Sequence, residues 1–140
     1  DWYTFSHAIH GFGFYLLLWF ISRPWPALSW LRSYGARLAV AVFLESSWEV
    51  FENTDFVINR YREATISLDY YGDSVINSVA DILAMIAGFV FAARFPVWAT
   101  LGLTVFLEIL ALYFISDNLA LNLIMLIYPF EFLKTWQLRP

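Results

Sequence analysis

The sequence predicts an all-α fold, a polytopic bundle of about five transmembrane helices, and three observations carry that prediction. Of the 140 residues, 61% are hydrophobic and only 14% are charged, with a mean hydropathy of +0.62. A water-soluble domain of this size lacks the interior to hide so much apolar surface, because small folds keep a high surface-to-volume ratio. Several apolar runs approach the ~20 residues that a helix needs to cross a bilayer. Aromatic residues make up 21% of the chain, as expected where Trp and Tyr gather at the membrane–water interfaces.

The same composition narrows the function. There are no cysteines, which excludes disulfides and thiolate metal sites within this stretch. A net charge of −4 argues against nucleic acid as a partner. A single transmembrane domain over residues 1–140 is expected, with no linker, internal repeat, low-complexity segment or signal-peptide pattern. The chain opens on Asp1 rather than methionine, so a longer parent chain is expected.

The first span is expected over 5–21, closed by Ser22-Arg23-Pro24, where proline stops the helix. The second covers 36–53 and the third 74–93. The fourth runs over 97–115, after the break at Arg94-Phe95-Pro96. The last covers 118–136 with Pro129 inside it, which predicts a kinked, short or re-entrant segment. Residues 55–68 are too polar to span, but Phe56, Val57, Tyr61 and Ala64 give them one apolar side suited to an interface.

Orientation follows from Lys and Arg in the short loops. Arg23, Arg32, Arg37, Arg94, Lys134 and Arg139 fall on one side of this layout, and Arg60 and Arg62 on the other. The richer side is expected to be cytoplasmic. The Asp1 end would then be periplasmic and the C-terminus cytoplasmic.

The polar residues fall at one depth. His7 and His10 share a face at the outer end of the first span. Glu45, Glu49 and Glu52, at offsets of four and seven, share a face of the second, with Asn53 after them. Asp73, Asn77 and Asp81 line one face of the third, continued by the small residues Ala84 and Gly88, which let another helix approach closely. Glu108 lies near the middle of the fourth span, and Asp117, Asn118 and Asn122 sit around the start of the fifth. Asp81 lies roughly 12 Å deeper than Asp73, and Glu45 roughly 10 Å deeper than Glu52. An ionisable group near the bilayer centre costs ~2.5–3.5 kcal/mol even on the mildest scale. These groups therefore need one another, water or a cation.

Part of the layer has an ordinary explanation. Asp117 is placed to cap the fifth span, Asp73 or Ser74 to cap the third, and the asparagines to pin helices together. Capping does not account for Glu45, Glu49 and Asp81, which lie inside their helices. Three readings stand for them: a divalent cation, a protonated hydrogen-bonded network, or an ion path. His7, His10, Glu49, Asp73, Asn77 and Asp81 are the candidate metal ligands, since imidazole and carboxylate suit zinc or another first-row divalent ion. Glu49, Glu52 and Asp81 are the candidate catalytic residues, with Glu49 or Glu52 as general base toward a metal-activated water. Asn77-Ser78-Val79-Ala80-Asp81 faintly resembles the lipoprotein signal peptidase signature, but the spacing differs and the second Asp motif is absent.

Several stretches together resemble one bacterial membrane-protein family, UPF0314 or DUF2585. They are Asp1-Trp2-Tyr3-Thr4, Ser6-His7, His10-Gly11, Trp48-Glu49 and Glu52-Asn53. They continue with Asn59-Arg60-Tyr61-Arg62-Glu63-Ala64-Thr65, Tyr71-Gly72-Asp73-Ser74, Asn77-Ser78 and Asp81, then Asp117-Asn118-Leu119, Leu121-Asn122 and Trp136-Gln137. The resemblance implies a proteobacterial, mostly alphaproteobacterial, inner-membrane protein, and it carries no reaction with it. It also implies a further upstream span and a Cys-x-Cys-Gly segment absent from this stretch.

Three function classes follow. The first is an outer-facing, cation-binding polar site that performs metal-dependent hydrolysis on a lipid or lipid-linked substrate. The second is a non-catalytic accessory or scaffold subunit of a larger membrane complex, in which case other membrane subunits are the partners. An ion or proton transporter is the third reading, but the cytoplasmic half has too few polar residues to complete a path.

Overall fold

The computed structural model describes residues 2–138; Asp1 and Arg139, which both enter the topology expectation, lie outside the described residues. Seven α-helices follow one another there: α1 (Thr4–Ile21), α2 (Tyr34–Glu52), α3 (Asp55–Ala64), α4 (Val75–Arg94), α5 (Val97–Ile115), α6 (Leu119–Ile127) and α7 (Glu131–Gln137). A 3₁₀ helix, Pro26–Arg32, joins α1 to α2. The described residues contain no strand, so the chain is all-α.

Polar side chains set three helix starts by accepting otherwise unpaired backbone N–H groups. Ser33 accepts from Ala36 at 3.1 Å, Ser74 from Asn77 at 3.2 Å and Asn118 from Leu121 at 2.8 Å. Asn118, not Asp117, is therefore the cap of α6. Glu108 adds to it from the middle of α5, accepting from the backbone N–H groups of Leu119 at 3.1 Å and Ala120 at 3.0 Å. A carboxylate at the positive end of a helix dipole is favourable, and this explains an acid in an otherwise apolar helix. Glu108→Ala should lower stability by about 1 kcal/mol, and Glu108→Gln by less, read as midpoint shifts in thermal unfolding in detergent.

α1, α4 and α5 are long and apolar enough to cross a membrane. The expected count of about five spans is therefore too high. α2 has 19 residues, but it carries Arg37, Glu45, Glu49 and Glu52. The expected span over 118–136 splits into two short helices because Pro129 has no N–H and cannot continue α6. Nine residues in α6 reach only ~13 Å, less than half the ~30 Å hydrocarbon core.

After this break the chain returns. Gln137, at the end of α7, donates to the Asp117 carboxylate and to the Ser116 carbonyl, both at 3.0 Å. Tyr3, next to the start of α1, donates to the same carboxylate at 2.9 Å. Both ends of the described chain thus meet at Asp117, not at opposite faces of the bundle. Lys134 follows, donating to the Glu63 carbonyl at the end of α3 at 2.6 Å. It therefore lies with Arg60 and Arg62, which weakens the expected charge asymmetry.

α1 and α4 form the centre of the bundle and run in the same direction. Thr4 meets Asp81, and Gly11 meets Met85 and Phe89, so the numbers rise together. Two glycines make this approach possible. A Cβ added at Gly11 would stand 2.0 Å from the Met85 carbonyl oxygen, and one at Gly88 would stand 2.1 Å from that of Ala8. The helices touch backbone to backbone, as small residues permit in membrane bundles. α2 runs the other way across both, with Tyr34 against the edge of the fully buried Phe89. Apart from Glu108, α5 is almost wholly apolar and buries only Thr100 and Ala111, leaving Trp98, Phe106 and Tyr113 exposed, as a helix surrounded by lipid would.

Candidate functional site

Parallel α1 and α4 with antiparallel α2 bring three polar helix faces to one level. Glu45 lies at its centre, fully buried on the α2 face that points at α1. Its carboxylate accepts from Nδ1 of both histidines, His7 at 2.6 Å and His10 at 3.1 Å. One turn further along α2, Glu49 Oε1 lies 3.4 Å from the same His7 nitrogen. On the other side of the ring, Asp81 Oδ2 is 3.9 Å from His7 Nε2. His7 is therefore surrounded by carboxylates from two helices.

The donors form two overlapping groups, His7 with His10 and Glu45, and His7 with Glu49 and Glu52. In each group the candidate ligand atoms lie within 4.8 Å of one another. Asp81 is anchored from α1 by the Thr4 hydroxyl at 2.9 Å, and the Asn77 amide reaches both Asp73 and Asp81 at 2.9 Å. Of the sequence-predicted candidates, His7, His10, Glu49, Glu52 and Asp81 thus come together. Asp73 and Asn77 stand one step outside, connected through the Asn77 amide. Glu45, read from the sequence as a buried acid but not as a ligand candidate, turns out to be the acceptor shared by both imidazoles.

Glu49 differs from its neighbours. It is 4% exposed, and neither carboxylate oxygen has a hydrogen bond of ordinary geometry, although the Ser78 side chain lies nearby. A buried charge without partners is strongly unfavourable, so this carboxylate calls for a proton or a cation.

A cavity of about 170 Å³ opens over His7, His10, Glu52 and Asp81, with room for several waters. Tyr3, Tyr61 and Tyr70 also line it. Tyr61 faces Glu52, and Tyr70 donates to Asp73 at 2.8 Å. Burial, reinforced by these carboxylates, pushes both phenols well above the ordinary tyrosine range, so they stay hydrogen-bond donors. In the sequence Tyr61 reads only as part of an apolar interfacial side and a family motif, Tyr3 only as part of a family motif, and Tyr70 carries no signal at all. Gly72 helps to close the rim. Its backbone is in the left-handed region at φ +93, and the adjacent Asp73 N–H donates to Asn53 Oδ1 at 2.5 Å.

Asp117 closes the layer on the α5 side. Burial raises its pKa, against the lowering effect of hydrogen bonds from Tyr3, the Asn118 backbone, Asn122 and Gln137. A carboxyl raised in the folded state contributes stability below its unfolded value of ~3.9, and loses that contribution as pH rises through the folded value. Asp117→Asn should therefore gain stability relative to wild type as pH rises from about 4 to about 8, which parallel thermal melts would show.

A family model described as "protein of unknown function (DUF2585)" matches residues 1–139. The UPF0314 protein of Paracoccus denitrificans (strain Pd 1222) is 55% identical over 137 residues, covering 98% of this chain and 67% of the relative. The UPF0314 proteins of Brucella anthropi and Rhizobium meliloti (strain 1021) are 52% and 51% identical, each over 98% of this chain and 66% of the relative. The chain thus spans about two thirds of the length of the curated relatives it matches. No solved structure matches. Matched by the family model along nearly its whole length, with its relatives at about half identity, the chain belongs to the DUF2585 (UPF0314) family.

Proposed function

We propose that this chain is the transmembrane domain of a bacterial inner-membrane protein whose polar layer binds a divalent cation and uses it in hydrolysis of a membrane-borne substrate. The observation that carries the reading is Glu49, a buried carboxylate with no hydrogen bond of ordinary geometry, beside an imidazole and a second carboxylate at ligand spacing. His7, Glu49 and Glu52 supply the first donors, an N/O set suited to zinc or a related ion. Glu45, already bound to Nδ1 of both histidines, orients the rings as carboxylates commonly do around metal-bound imidazoles. A bound divalent ion would supply an acidified water there. Asp81 would serve as a general acid–base beside it, and the tyrosines would donate to polar substrate oxygens.

The substrate class follows from the cavity, whose polar floor lies against Trp48, Leu119 and Leu123. A lipid or lipid-linked group suits that mixture. In the orientation we favour, the end bearing Arg23, Arg32, Arg37 and Arg94 faces the cytoplasm and the polar layer faces the periplasm. A non-catalytic accessory subunit is the second reading, supported by hydrogen bonds that Glu45, Asp73 and Asp81 already make without an ion.

Elemental analysis of protein purified without chelator separates the two. The cation reading expects about one divalent ion per chain in wild type, and its loss in Glu49→Gln. No stoichiometric metal in wild type, with Glu49→Gln and Asp81→Asn both supporting normal growth, would favour the accessory role.

A further inference from the structure

The opposite end of the bundle contains a second polar cavity. It has a volume of about 440 Å³ and is lined by Trp19, Ser22, Arg23, Arg32 and Arg37. Three arginines line it, and among the described residues no carboxylate pairs with any of them. Arg32 is fixed by the backbone, donating to the carbonyls of Ser22 and Arg23, both at 3.1 Å. Arg23 lies over the Trp19 ring at 3.9 Å.

Arg37 is the informative member. It is only 8% exposed, it lies over the Tyr15 ring at 5.0 Å, and its buried Nε has no hydrogen-bond partner. It also occupies the first turn of α2, where the helix dipole is already positive and a cation is disfavoured. A buried, unpaired guanidinium at that position is unfavourable alone, and an anion in the cavity removes both penalties at once.

Trp19, Trp25 and Trp30 are exposed around this end, as aromatic residues are at headgroup level. We infer that Arg23, Arg32 and Arg37 form a binding site for a phosphate oxyanion at the membrane interface, independent of the polar layer. The planar guanidinium fork suits phosphate oxygens, and basic pockets between membrane helices commonly take lipid headgroups.

The test uses the purified chain in detergent, measuring bound lipid by native mass spectrometry and thermal shifts with inorganic phosphate. Retention of phosphatidylglycerol over phosphatidylcholine by wild type, weakened roughly tenfold in Arg37→Gln, is the expected result. Should Arg37→Gln fail to fold, the exposed pair Arg23→Gln with Arg32→Gln must show the same weakening. A thermal shift with inorganic phosphate that these variants lose would identify a free-phosphate site, and selective retention of phosphatidylglycerol without that shift a lipid-headgroup site. Equal retention of both lipids with no phosphate shift, or binding unchanged in the folded variants, would overturn the inference.

Discussion

Glu49→Gln should weaken divalent-cation binding by about 100-fold while leaving the metal-free fold as stable as wild type or more stable. Structural zinc sites are worth roughly 10–16 kcal/mol across four ligands, so one ligand carries ~3 kcal/mol, or about two orders of magnitude in affinity. The fold does not suffer, because no hydrogen bond of ordinary geometry reaches either Glu49 oxygen. His7 Nδ1 lies 3.4 Å away but is already taken by Glu45 at 2.6 Å, so a neutral amide at position 49 removes a desolvation penalty and little attraction. With chelator present, the variant should melt at or above wild type; with metal added, wild type should melt above the variant. Glu45→Gln should behave differently. It replaces a charged acceptor shared by two imidazoles, at 2.6 and 3.1 Å, so it should lose stability with or without metal. Parallel melts of the two variants check this contrast. A purely structural polar layer would show no metal-dependent crossover at Glu49.

Gly88→Ala and Gly11→Ala should each destabilise the bundle by more than the usual ~1–3 kcal/mol of an overpacked core. The added methyl would have no flexible side chain to displace. At Gly88 it meets the Ala8 backbone at 2.1 Å, and at Gly11 the Met85 carbonyl at 2.0 Å. α1 and α4 would have to separate, and the separation would pass directly to the site, because Thr4 reaches Asp81 and His7 faces Asp81 across the same contact. Both variants should therefore lose cation affinity as well as stability. Gly13→Ala and Gly102→Ala are the controls, since an added Cβ at either has nothing within 4 Å. These should be neutral or stabilising by about 0.5–1 kcal/mol, as for glycine in helix interiors. Thermal unfolding of the four proteins in one detergent decides it.

The helical class and the polar layer were legible in the sequence because both rest on local rules. Long apolar runs read directly as α1, α4 and α5. Offsets of three, four and seven placed His7 with His10, and Glu45 with Glu49 and Glu52, on common faces. Gly88 was legible as a close-approach residue, although its partner Gly11 on α1 was not. How the faces meet depends on rotations between helices, which local spacing does not encode. Glu45 as the acceptor of both histidines was therefore missed, and so was the Thr4 hydroxyl on Asp81.

The C-terminal third was misread for a different reason. Ser116 takes the left-handed conformation at φ 54, ending α5, and no glycine there announces the turn. The following segment then folds back through contacts more than ten residues away, Glu108 with Leu119 and Gln137 with Asp117. Those contacts also moved Lys134 to the side of Arg60, which loop counting could not anticipate.

Whether His7 and the α2 carboxylates hold a cation or only share protons decides what the polar layer does. X-ray absorption at the metal edge, on protein loaded with one equivalent of Zn²⁺, tests it most directly. A cation site gives a first shell of nitrogen and oxygen at about 2.0–2.2 Å, with imidazole outer-shell scattering that His7→Ala removes. A spectrum of fully hydrated zinc, identical in wild type and His7→Ala, would contradict it.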